Sequence, residues 1–178
     1  MSGKKSKTKG KSYERDIANL LSELYNESFT RVPHSGAFIG GQNFSRIEKL
    51  SENQTRGFKG DIIPPDSFPL LVIEAKNYGE FRWNHLALGQ QVKQLDEWIG
   101  QAEDSCEDKD KWLLCVKITR QGEFVLWDPT RFTNLDHNLT YNKYCYIETS
   151  KFWKANSNKI KEQSKKQNGT EDTNSSSS

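Results

Sequence analysis

Asp61, Glu74 and Lys76 are the residues of this 178-residue chain whose types and spacing invite chemistry. Leu70, Leu71, Val72 and Ile73 form an apolar run with β-branched members, bounded by Pro64, Pro65 and Pro69 before it and by Asn77 and Gly79 after it. That pattern predicts a buried strand of about six to seven residues. Alternation along it turns Glu74 and Lys76 to one face and Leu71, Ile73 and Ala75 to the other. Asp61 follows Gly60 and opens a second short apolar segment, Ile62 and Ile63. The Pro-Pro-Asp-Ser turn between the segments lets them pair as a hairpin, which brings Asp61 near Glu74. A buried carboxylate and ammonium are costly unless paired or bound to something. Asp61 and Glu74, with a backbone carbonyl of Ile73 or Ala75, suit a hard divalent cation, Mg²⁺ first and Mn²⁺ as a substitute, because Mg²⁺ keeps several of its waters. Such a cation polarises a phosphoryl oxygen and acidifies a bound water, which is what hydrolysis of a phosphodiester demands. Lys76 would orient that water and offset charge on the phosphate. On spacing alone, a surface ion pair at a strand end competes with this reading; the apolar strand and its Gly-Asp partner favour the site.

The elements around the hairpin must hold it. Ser12 is a candidate N-cap for a helix from Tyr13 to about Glu27, with an apolar stripe at Ile17, Leu20, Leu21 and Leu24. Glu14 is either a first-turn acid that complements the helix dipole or a carboxylate at the core rim that holds the metal through a water. Residues 29–32 read as a strand ended by Pro33. In the following HSGAFIGG loop, Gly36, Gly40 and Gly41 permit close backbone approach, and Ser35 or a neighbouring amide can contact phosphate. His34 reads as a surface residue before it reads as a base or ligand. Residues 42–59 look like a partly helical insertion beside the site, with Arg46, Lys49, Arg56 and Lys59 as phosphate contacts.

Downstream, Phe81, Arg82 and Trp83 read as packing under a loop, with base or sugar contact as the alternative. A second helix is expected over 86–103, strands over 112–119, 123–127 and 144–147, and a last helix over 150–160. The sum is one α/β domain with a central mixed sheet over 12–160. A basic arm at 1–11 and a polar tail at 161–178 are expected to lack fixed structure.

Composition narrows the class. The net charge is +2, yet Lys4, Lys5, Lys7, Lys9, Lys11 and Arg15 crowd the start against Glu14 alone. Such an arm either lies along phosphate backbone or is a solvated tail. Cys106, Cys115 and Cys145 are odd in number and widely spaced, which suggests neither a disulfide framework nor a zinc site and fits a reducing, intracellular (cytoplasmic) compartment. No stretch approaches the roughly 20 apolar residues of a membrane span, so no membrane partner is expected.

Four segments, KGKSYERDIANLL (9–21), RVPHSGA (31–37), KGD (59–61) and LVIEAK (71–76), resemble the PD-(D/E)XK nuclease superfamily. Within it the chain is similar to Holliday junction resolvases of the archaeal type and their phage relatives. The likeness covers about residues 10 to 120, and Gly60 stands where the superfamily name has proline. It implies a restriction-endonuclease-like core with Glu14, Asp61 and Glu74 around Mg²⁺. It further implies Lys76 as the catalytic lysine, Ser35 as the loop serine, DNA as substrate, a four-way junction among its forms, and a homodimer setting two sites against two strands. A restriction-type or recombination nuclease on linear DNA, and an inactive DNA-binding module, remain the alternatives.

Overall fold

The computed structural model describes residues 3–33 and 59–165, with side chains from Gly10 onward. Helix α1 (Gly3–Tyr25) leads into β1 (Thr30–Arg31), β2 (Ile62–Ile63) and β3 (Leu71–Tyr78). Helices α2 (Trp83–Ala87) and α3 (Lys93–Asp104) follow, then β4 (Lys111–Ile118), β5 (Gly122–Trp127), β6 (Leu139–Tyr141), β7 (Tyr144–Glu148) and α4 (Thr149–Gln163). The strands form one sheet in the order β1-β2-β3-β4-β5-β7-β6. Only β3 and β4 pair in parallel among the described strands; the other neighbours are antiparallel. A parallel pair cannot be closed by a tight turn, so α2 and α3 carry the chain across one face of the sheet.

Both faces of the sheet are covered. On one, Tyr13, Ile17 and Leu21 of α1 and Phe152, Trp153 and Ile160 of α4 pack on Leu71, Ile73, Ala75, Cys115 and Val125. On the other, Leu95, Trp98, Ile99 and Ala102 of α3 pack on Val72, Leu114, Val116 and Leu126. The fold is thus a central mixed sheet flanked by helices, the restriction-endonuclease-like architecture expected from the sequence.

Two expectations need correction, and one strand has no signal in the sequence. Helix α1 starts at Gly3 rather than Tyr13, so Ser12 lies inside it instead of capping it, and the helix takes in residues 3–11, where the sequence predicts no fixed structure. Lysine is a good helix former, and one cap of about 1 kcal/mol does not stop a helix that such residues can extend. The helix expected over 86–103 is two helices, because Gly89 takes a left-handed φ of +66° and breaks the run after α2. Leu88, at that break, is exposed instead of lying on the core stripe. Strand β6, a short edge strand, has no apolar alternation to announce it.

The cysteines are free, and Cys115 and Cys145 are buried. Burial first, then the charges of Glu123 and Asp61, pushes the Cys115 thiol up to about 12. Burial and Asp110 likewise push Cys106 up to about 12. Thiolate is the reactive form. Native protein at pH 8 is therefore expected to react only slowly with a disulfide reagent, with full labelling after denaturation; rapid native labelling of Cys115 would contradict this packing.

Candidate active site

The hairpin forms as its sequence predicts. Ile62 pairs with Ile73 in antiparallel register, a pairing that sets Asp61 across from Glu74. The Asp61 amide donates to the Ile73 carbonyl at 2.8 Å, and the Val32 amide donates to the Asp61 carbonyl at 2.9 Å, so the backbone here is held from both sides. The Asp61 side chain turns into the opening between β2 and β3, where its Oδ2 accepts the Ala75 amide at 2.8 Å. Gly60 makes this possible. Its φ is +69°, and a Cβ there would sit 2.5 Å from the Ile73 carbonyl oxygen. Proline, locked near φ −65°, cannot take that conformation, which accounts for glycine before this aspartate.

Along β3, Leu71, Ile73 and Ala75 lie in the core beneath α1 and α4, while Val72 lies in the core beneath α3. Alternation therefore turns Glu74 and Lys76 toward the α3 face. Lys76 Nζ donates to Glu74 Oε1 at 2.6 Å, both side chains being largely buried. Glu74 and Asp61 are themselves buried carboxylates. Register thus sets Asp61 opposite Glu74, and Lys76 pairs with Glu74 within the same strand.

Glu14 sits differently. It lies well inside α1 and so is not a first-turn acid. Its Oε2 accepts a charge-assisted hydrogen bond from Arg31 Nε at 2.7 Å. Arg31 is across from Ile62, whose side chain belongs to the α1 face, so the pair lies on the side of the sheet opposite Glu74 and Lys76. Lys117 Nζ lies 5.3 Å from the centre of the Tyr13 ring and ties this turn of α1 to β4. Ser35 and His34, with residues 42–58 of the insertion, lie outside the described residues.

Lys59 is not available for phosphate, because its ammonium is engaged by Asp110 Oδ2 at 2.6 Å and Glu107 Oε1 at 3.1 Å. Burial works against its charge, but those two carboxylates outweigh burial and hold its pKa above the ordinary lysine value. Sequence reasoning passed over Arg31 as the partner of Glu14; a cation on the strand that follows a helix bearing a rim carboxylate was the available signal.

Among the described residues no group of three or more His, Cys, Asp or Glu side chains converges to cage a metal. The hairpin instead offers two carboxylates, an all-oxygen set. That set matches Mg²⁺, which is commonly held by one or two carboxylates with water filling the rest of its shell.

Comparison with known proteins extends this picture. No curated protein and no solved structure matches the chain. A family model does, over residues 5–170, and its description is "Phage putative PDDEXK endonuclease". With nearly the whole chain matched, and with the sheet, the Gly-Asp turn and the Glu-x-Lys strand in place, the protein belongs to this family of PD-(D/E)XK endonucleases.

Proposed function

We propose that the chain is a Mg²⁺-dependent DNA endonuclease that hydrolyses phosphodiester bonds, selects branched DNA of the four-way junction type, and works as a homodimer inside the cell. The observation that carries the chemistry is the Glu74–Lys76 ion pair, largely buried within β3, with Asp61 across from Glu74 on β2's side. Burial of such a pair is expensive, and a functional site is a reason to keep it. Asp61 and Glu74 would hold the cation, whereas Glu14, bonded to Arg31 on the other face of the sheet, would stay outside its shell. When bound, the cation supplies a polarised phosphoryl oxygen and an acidified water. Lys76, released from Glu74 or shared with it, would orient the attacking water and offset charge on the phosphate. Ser35 would contact the phosphate of the bound strand. Branched-DNA selectivity and the dimer rest on the likeness to junction resolvases.

The test is incubation of the purified protein with labelled four-way junction, nicked and linear DNA, with and without Mg²⁺. Cleavage that needs Mg²⁺ and favours the junction over its component duplexes is the expected result. Equal cutting of linear duplex would replace junction selectivity with a restriction-type activity, and binding without any cutting would leave a DNA-binding module.

A further inference from the structure

We propose that Tyr78 is a stacking platform for an unpaired nucleobase next to the scissile phosphate, so that the substrate carries a single-stranded or splayed nucleotide at the cut. The proposal deepens the nuclease reading and rests on it for the position of the cut.

Alternation along β3 puts Tyr78 on the face of Glu74 and Lys76, about 7 Å beyond Lys76 along the strand. That span equals about two base steps of a stacked strand at 3.4 Å each. Tyr78 is 41% exposed in a strand whose other aromatic and aliphatic side chains are buried. Its ring is backed by Trp98, which is only 2% exposed, with centroids 4.7 Å apart and planes tilted by 37°. Trp98 also stacks with Phe81, at 5.9 Å and 18°. Core packing explains the covered side of Tyr78 and leaves the open side without a role.

Charge beside the ring fits the same ligand. The Thr119 amide donates to the Tyr78 carbonyl at 2.8 Å, which sets the β4–β5 turn and its exposed Arg120 alongside. Arg82, also exposed, follows shortly along the chain. Neither arginine enters an ion pair among the described residues, so both can meet phosphates that flank a stacked base. Bases inside an intact duplex are paired and stacked on one another, so an aromatic side chain gains a base only where one is free.

The experiment uses single-stranded oligonucleotides that carry 2-aminopurine at successive positions, mixed with the full chain in EDTA so that no cleavage is needed for the readout. Wild type, Tyr78→Phe and Tyr78→Trp are expected to quench the probe at one or two adjacent positions. Tyr78→Leu should lose the quench and bind single strands about 5- to 100-fold more weakly, with duplex affinity unchanged and an unaltered melting curve. A Tyr78→Leu variant that quenches like wild type, or that loses duplex and single-strand affinity equally, would overturn the proposal, as would a wild type that binds single strands without quenching. Adding Mg²⁺ then tests the other reading separately. A protein that quenches but never cuts keeps the stacking role and loses the nuclease, whereas one that cuts with Tyr78→Leu still quenching keeps the nuclease and loses the stacking role.

Discussion

Lys76→Ala is expected to lower Mg²⁺-dependent DNA cleavage by at least about 10³-fold while changing DNA affinity by no more than a few-fold. The loss combines two effects, a missing positive charge where the transition state gains negative charge and a water left without its orienting ammonium. Asp61→Ala should match it, because Asp61 would hold the cation. The lysine variant also deprives the Glu74 carboxylate of its partner at 2.6 Å. Since both side chains keep some contact with solvent, that should cost about 1–3 kcal/mol of stability. A double variant, Glu74→Gln with Lys76→Met, removes both charges, recovers most of that stability and stays inactive. Measuring cleavage beside thermal unfolding for the three proteins separates lost chemistry from lost fold. Cleavage by Lys76→Ala at the wild-type rate would remove the lysine from the mechanism.

Gly60→Ala is expected to cost about 3 kcal/mol or more of stability and at least tenfold in cleavage. The left-handed φ of +69° costs an alanine about 1–2 kcal/mol by itself. The overlap of its Cβ with the Ile73 carbonyl oxygen adds the rest, because that atom is backbone in a central part of the sheet and cannot swing away. Relief requires β2 to move off β3, and the same Ile73 carbonyl accepts the Asp61 amide. The carboxylate would therefore be displaced together with the strand. A fall in melting temperature of about 6–12 °C is expected. Gly79→Ala, where a Cβ meets nothing within 4 Å, serves as the control and should melt within about 2 °C of wild type. A Gly60→Ala protein that melts with the control would show that the turn is not tight.

The hairpin was legible in the sequence because its signals are local. Period-two alternation from Leu71 to Lys76 and two prolines in the turn determine which faces Glu74, Lys76 and Ile73 occupy, and the structure agrees. Resemblance then placed the chain in a superfamily that the family match supports. What escaped depends on tertiary contacts or on one backbone angle. Nothing in residues 86–103 announces that Gly89 will take positive φ and divide the helix. The engagement of Lys59 by Asp110 joins residues far apart in the chain, as does the bond between Glu14 and Arg31 on the face opposite Glu74. Tyr78 continues the Glu74 and Lys76 alternation, but only its exposure against a buried Trp98 distinguishes it from the aromatics around it.

The parallel pairing of β3 with β4 bears on how the molecule is made. Residues 64–70 join β2 to β3, whereas 79–110 must be spanned before β4 can dock, a closure that costs about 1–2 kcal/mol more in chain entropy. Non-local strand pairing of this kind is slow. On a nascent chain the carboxylate hairpin can settle its register early, while one side of β3 waits with its amides and carbonyls open. Failure during synthesis should then take the form of edge-to-edge association between half-finished chains, which chaperones or lower expression temperature would relieve, rather than of soluble protein with a misaligned hairpin.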